Sequence, residues 1–193
     1  MSNFLGPCTL TGTHVRLEPL DSDHADALLE AGRGFDWAWL SMKLNSRKTV
    51  LQWIDVALKA QERNEEHPFV VKLLSENRVI GSTRYMDVQQ AQKGVEIGWT
   101  WYSPSVWGTF VNPESKFLLL KHAFEDWGAI RVQLKTDSNN LHSQRAILKL
   151  GAKFEGRLRN HRIRPDGTFR DSMMYSIIDS EWPKIKSDLL KRI

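Results

Sequence analysis

Residues Trp107 to Trp127 read WGTFVNPESKFLLLKHAFEDW. The stretch predicts a strand exit, a tight loop and a helix. Asn112 suits the N-cap, where a short side-chain oxygen accepts from unpaired amides of the first turn. Pro113 suits the first helical position, which needs no amide donor. Glu114 falls at the positive end of the helix dipole. Phe117, Leu120, Phe124 and Trp127 recur at steps of three and four and make one apolar stripe. Gly128 can close the helix in a left-handed conformation. Gly108 and Thr109 allow close backbone approach ahead of the cap. A small-residue loop feeding a helix start turns free amides and a dipole towards an anion. The plainer reading, a good helix start and nothing more, stays open on these residues alone, because one Gly-containing loop is a weak signal.

Outward from this stretch, strands and helices are mixed. Upstream, Val15 to Leu20 reads as a strand. Asp21 caps a helix carrying Ala25, Leu28 and Leu29 that ends near Gly32. Phe35 to Leu44, FDWAWLSMKL, is aromatic and irregular. Ser46 or Thr49 begins a longer helix with Val50, Trp53, Ile54, Ala57 and Leu58 on its buried face. Pro68 breaks the pattern before a strand at Phe69 to Leu74, and Glu76-Asn77 turns into a strand at Val79 to Met86. Asp87 to Lys93 is polar and predicts a loop. Val95 to Tyr102 is the strand that enters the opening stretch.

Downstream, Ile130 to Thr136 alternates as a strand. Asn139 or Asn140 caps a helix with Ser143, Ile147 and Leu150 on one face and Gly151 at its end. Phe154 to Ile163 and Phe169 to Ile177 are joined by Arg164-Pro165-Asp166-Gly167, a strong turn signal. A last helix runs from Ser180 towards Ile193. No repeat or low-complexity linker divides the chain, so one domain spanning residues 1–193 is expected. Elements in this order predict an α/β fold with a mixed sheet.

Composition narrows the classes. The 193 residues are 41% hydrophobic and 26% charged, ordinary for a soluble globular chain. Of eight Trp, most are expected in the core, with some lining a groove for an extended ligand. A net charge of +4 and an isoelectric point near 9.2 favour anionic partners without choosing among them. The single cysteine, Cys8, excludes an intrachain disulfide and reads as a small buried or terminal thiol. MSNFLGPCTL has no basic region followed by a long apolar run, so no signal peptide is expected. No window has the length of an apolar membrane span. A cytoplasmic protein without membrane attachment is the expectation. The six His show no metal spacing, and no metal is expected.

Three segments carry a resemblance: VWGTFVNPESKFLLL, the run TDSNNLHSQRAILKLGAKFEG from Thr136 to Gly156, and GWTWYSP from Gly98 to Pro104. Together they resemble the GNAT superfamily of acetyl-CoA-dependent N-acetyltransferases. The likeness runs from about Val15 to Pro183 and is strongest to the RimJ/RimL-like branch, whose best-known members acetylate N-termini of ribosomal proteins. The first segment lies where that superfamily has its pyrophosphate loop, Q/R-x-x-G-x-G/A. Two departures are visible. Aligned on Trp107 and Gly108, the loop's usual next Gly is Phe110 and its final Gly/Ala is Asn112. Ile147 stands where many members carry a catalytic Tyr.

The resemblance implies the GNAT fold, a mostly antiparallel mixed sheet flanked by helices, with acetyl-CoA as cosubstrate. It places the cofactor on Trp107, Gly108, Thr109, Phe110, Val111 and Asn112. It adds the backbone of Trp99, Thr100 and Trp101, on a strand that in the resembled fold splays from its neighbour. One of those amides is the expected oxyanion donor. Asn140 is expected to contact the pantetheine arm and Ser143 to reach the sulfur. The residues agree that Asn140 and Ser143, three apart, share a helix face. Glu96 is the candidate base. It enters the loop strand between apolar neighbours, where burial can raise a carboxyl pKa, and the branch often has Glu there. A solvent-facing Glu on an alternating strand is the plainer alternative, as are a simple N-cap for Asn140 and an exposed Ser143.

The expected reaction is direct acetyl transfer to a primary amine, a protein N-terminal α-amine or a small molecule, without an acyl-enzyme. The resemblance also admits a ribosomal protein as acceptor and a homodimer as assembly. Two other classes are weighed. Arg157, Arg159, His161, Arg162, Arg164 and Arg170 make the last hairpin basic, as an RNA-associated protein would need, though no RNA-motif aromatics accompany them. Phe110 and Ile147 motivate a CoA-binding protein without catalysis.

Overall fold

The computed structural model describes residues 8–164 and 166–193. Pro165 in the expected turn and most of the N-terminal stretch read for a signal peptide lie outside the described residues. Eight strands form one sheet: β1 (Leu10–Thr11), β2 (Val15–Pro19), β3 (Glu66–Leu73), β4 (Arg78–Gln89), β5 (Gly94–Tyr102), β6 (Arg131–Asp137), β7 (Lys153–Ile163) and β8 (Phe169–Ile178). Their order is β1-β2-β3-β4-β5-β6-β8-β7. The β5–β6 pair is parallel and the others are antiparallel. A parallel pair needs a long crossover, and the segment between Tyr102 and Arg131, which contains the Trp107–Trp127 stretch, supplies it.

Helices cover both faces. On one side, α1 (Ala25–Ala31) and α2 (Arg47–Glu62) pack Leu28, Val50, Trp53, Ile54 and Ala57 with Val70 and Trp101. On the other, α3 (Val111–Lys121), α4 (Leu141–Leu150) and α5 (Trp182–Leu190) join a cluster with Val71, Ile97, Val132 and Ile177. Ser46 caps α2, its hydroxyl accepting from the Thr49 amide at 3.2 Å. Among the described residues no helix is long and apolar enough to cross a membrane.

Four local expectations need correction. Helix α3 begins at Val111, so Asn112 lies inside its first turn and is not the N-cap. Gly108, at φ +75°, makes the reversal earlier. Phe110 is already helical, and its carbonyl accepts from the Glu114 amide at 2.9 Å. Pro113 still costs nothing, since first-turn amides have no partner within the helix. The single apolar stripe is also wrong: Val111, Pro113, Glu114, Ser115, Lys116 and Leu118–Leu120 are all buried, because the sheet, α5 and the β1–β2 turn enclose the helix. The helix then continues as a π-turn over His122–Asp126 before Gly128, at φ +74°.

Pro68 lies within β3 and does not precede it. Its carbonyl faces Leu20, where β2 has ended, so its missing amide costs no ladder bond. The loop expected at Asp87–Lys93 starts late: β4 runs on to Gln89, with Asp87 turned to φ +48°. Glu114 does more than face the helix dipole. Its carboxylate accepts from the Thr13 and His14 amides, at 2.5 and 3.0 Å, and pins the β1–β2 turn. Gly12 is needed there, because a Cβ would run into that carboxylate.

Candidate active site

Strands β5 and β6 pair only at Gly94–Arg131, Val95–Val132 and Glu96–Gln133. Beyond that rung β5 runs on to Tyr102 and β6 to Asp137 without pairing, so the sheet opens into a wedge. The wedge leaves backbone groups of β5 without a ladder partner on that side, and such groups need partners. Glu96 sits at its apex, 2% exposed, and is therefore not a solvent-facing residue. Its Oε2 accepts from Gln133 Nε2 at 2.9 Å and from Lys135 Nζ at 2.7 Å.

Past the apex β5 carries one extra residue. Arg84 pairs with Gly98 and Ser82 with Trp101, so three steps on β5 match two on β4. This is a bulge, which bends a strand and re-aims its groups. Trp99 takes the strain at φ +51°, unusual for a bulky residue. The bulge puts Thr100 on the α3 side, where its hydroxyl lies 2.8 Å from Thr83 Oγ1 and accepts from Lys116 Nζ at 2.6 Å. Trp101 is buried against α2 and meets Trp37 edge-on at 5.1 Å.

The loop after β5 closes one side of the wedge. The Trp107 indole donates to the Tyr102 carbonyl at 2.9 Å yet remains half exposed. Gly108 has open space around its Cβ position. Thr109 donates from its hydroxyl to the Val106 carbonyl at 2.7 Å and accepts from the Val111 amide at 3.3 Å. Phe110, in place of the usual glycine, turns its ring inward onto His14 at 4.4 Å. Val111 is buried and Asn112 half-buried. The loop therefore presents backbone and the start of an eleven-residue helix.

On the β6 side, α4 starts at the same opening. Asn140 is its N-cap, accepting from the Ser143 amide at 3.0 Å. The rings of Trp107 and His142 are 6.3 Å apart, which brings the loop and the first turn of α4 together. Ser143 is half-buried on that turn, whereas Ile147 is buried in the core and lends only bulk.

The family described as an acetyltransferase (GNAT) domain matches residues 14–153. The chain belongs to the GNAT acetyltransferase family. Accordingly it is an acyltransferase, and acetyl-CoA is the donor that GNAT acetyltransferases use. Its sheet and helices are the GNAT fold. A GCN5-related N-acetyltransferase from Brucella melitensis is 29% identical with a TM-score of 0.90, over 96% of this chain and 85% of that one. A candidate acetyltransferase from T. thermophilus is 34% identical with a TM-score of 0.87, over 97% and 98%. RimJ from Mycobacterium smegmatis, solved with a CoA disulfide, is 22% identical with a TM-score of 0.78, over 96% and 92%, a likeness of fold. No curated protein shows significant similarity to the chain.

Four residues around the wedge are not among the sequence-based candidates. Gln133 and Lys135 had a signal: in RVQLKTD polar residues alternate with apolar ones, so both face the same way as Glu96. Arg84 had a weaker one, a lone arginine in the apolar strand VIGSTRYM. Lys116 had none, since a lysine in a helix ordinarily faces water. Here it is enclosed, and burial draws its pKa down to about 7. The basic hairpin carries less free charge than its sequence implies. Arg157 donates to Asp171 at 2.7 Å, and Arg164 grips both oxygens of Asp137, at 2.7 and 2.9 Å.

Proposed function

We propose that this GNAT acetyltransferase moves acetyl directly from acetyl-CoA to a primary amine, a protein N-terminal α-amine being the acceptor class its RimJ/RimL-like features favour. The observation that carries the reading is the wedge between β5 and β6, with Glu96 at its apex and the Trp107–Val111 loop at its mouth. The backbone around Gly108 and the first amides of α3 would hold the pyrophosphate, where the dipole favours an anion. Asn140 and the unpaired edge of β5 from Trp99 to Trp101 would take the pantetheine arm.

Glu96 would accept the acceptor's proton, directly or through a water. An α-amine, with a pKa of about 8, gives up that proton more readily than a lysine at about 10.4. A β5 amide at the bulge would donate to the developing oxyanion. Ser143 would hydrogen-bond the departing thiolate, a role that Ile147 cannot fill. The amine nitrogen would attack the thioester carbonyl directly and the C–S bond would break with CoA leaving as the thiolate, so no covalent enzyme intermediate is needed.

The test joins binding to turnover. Acetyl-CoA at about a hundred times its Kd adds about 2.7 kcal/mol of stability, read as a rise in Tm. A panel of peptides with varied first residues, set beside small amines, then reports acetyl-CoA consumption. Protein or peptide amines are the expected acceptors. A small amine consumed alone moves the acceptor to that class, and no thermal shift with saturating acetyl-CoA sinks the reading.

A further inference from the structure

Arg84 is 2% exposed and has no role in the transfer chemistry just described. Its Nη1 donates to Glu66 Oε2 at 2.6 Å. Its Nε and Nη2 have no hydrogen-bond partner among the described residues. Those two nitrogens lie on one edge of the guanidinium, the edge that meets both oxygens of a carboxylate in parallel. Both indoles near it cover the cation: Trp53 lies 4.4 Å and Trp99 4.9 Å from the guanidinium carbon. Cation–π contact supports the charge but satisfies neither N–H. Leaving two charged donors buried and unpaired forfeits their hydration with nothing in exchange.

The place of this edge gives it a use. Arg84 stands opposite Gly98, and Met86 stands opposite Glu96. Arg84 and Glu96 are thus diagonal neighbours on the same face of the sheet. Between them lies Gly98, where a Cβ would meet Met86 Sδ at 2.5 Å and Glu96 Oε1 at 3.3 Å. Gly98 adds no side chain there, so the cover over it is the flexible thioether of Met86. Trp99, half-buried on its strained bulge, lies over the guanidinium from the β5 side.

We propose that the free edge of Arg84 receives a carboxylate of the acceptor, so that this enzyme selects amines bearing a carboxylate a few bonds from the nitrogen. The placement of the amine beside Glu96 rests on the acetyl-transfer reading; the carboxylate site rests on Arg84 alone. Two sources supply this chemistry: the α-carboxylate of a free amino acid, or the side chain of an acidic first residue in a peptide.

Binding of product-like probes separates these sources without requiring turnover. One arm compares N-acetylglycine with N-acetylglycinamide, and the other compares acetyl-Asp-Ala-amide with acetyl-Asn-Ala-amide. Each is titrated calorimetrically into CoA-loaded protein, and into the protein alone. In one arm the acid should bind the wild type at least tenfold tighter than its amide. Arg84→Lys, which keeps charge but loses the fork, and Arg84→Gln should bring that ratio to within about twofold of unity. A wild-type ratio near unity in both arms overturns the proposal, whether or not the variants fold. An unchanged ratio in Arg84→Gln, or equal weakening of acid and amide, also overturns it and leaves Arg84 a packing residue. A retained ratio without any thermal shift by CoA keeps the receptor and sinks the transfer reading.

Discussion

Lys135 donates to Glu96 across 2.7 Å, tying β6 to β5 just past the last rung on which the two strands pair. The carboxylate is 2% exposed and the lysine side chain 16%, so this contact sits where water does little to screen it. It closes the apex of the wedge and holds the candidate base in one orientation.

Removing the lysine should therefore be costly. Lys135→Met leaves a buried carboxylate short of its cation, a change that typically costs about 3 to 5 kcal/mol. The expected result in urea unfolding is a loss of at least about 2 kcal/mol, after discounting for the lysine's partial exposure. The double variant Glu96→Gln/Lys135→Met should recover part of that loss, because no unpaired charge remains. Additive losses in the cycle would mean that the two side chains are not coupled.

Asn140 and Ser143 can be separated by function. Asn140 caps α4 through its side-chain oxygen, which Asp would replace. Asn140→Asp should keep the melting temperature within a few degrees but weaken CoA binding, because it lacks the amide donor. Ser143→Ala should lower kcat with little change in KM, since a bond to the leaving thiolate forms only late. Loss of one such bond to a charged group costs about 1.5 to 3 kcal/mol. Wild-type affinity and rates in both variants would reduce the pair to helix capping.

Lys116 gives a pH signature. Its amine is enclosed in α3, donates to Thr100 and has a pKa drawn by burial to about 7. The unfolded chain holds the same proton with an ordinary pKa of about 10.4. Between those values the unfolded state binds more protons, so stability rises with pH. The penalty is complete below about pH 7 and gone above about pH 10.4. Lys116→Met removes it, so the variant should gain most over the parent at pH 7 and less at pH 9.5. The difference narrows by at most about 1.4 kcal/mol per pH unit. Unfolding free energies of both proteins at the two pH values check this, and a constant difference would show the lysine to be ordinarily solvated or paired.

What could be read ahead of the structure followed from local rules. Ser46, Asn140, Gly128 and Gly151 mark helix ends by side-chain capping or left-handed backbone, which depend on a few neighbouring residues. Asn112-Pro113 obeyed the same rules and misled, because Gly108 had already turned the chain. The wedge was not legible from periodicity: two parallel strands that pair and then part carry the same alternation as two that stay paired. Pro68 misled for a related reason, since its cost depends on where β2 ends. The apex partners of Glu96 come from a strand 37 and 39 residues away, and only their alternation hinted at them. Arg84 needed the fold, because its meaning lies in Trp53, Trp99 and Glu66, contributed by three other elements.

Glu96, as the group that takes the acceptor's proton at the apex of the wedge, is the centre of the proposed chemistry. The direct measurement is kcat/KM for acetyl transfer to the best amine of the panel, wild type against Glu96→Gln, with acetyl-CoA affinity determined in parallel. Glutamine keeps the size and can still meet Lys135 and Gln133 through its oxygen, but it cannot accept the proton. A fall of about a hundred- to ten-thousandfold in kcat/KM, with acetyl-CoA affinity within about threefold of wild type, is the predicted result. An unchanged rate across pH 6 to 9 would contradict it and leave Glu96 as the brace that ties β5 to β6.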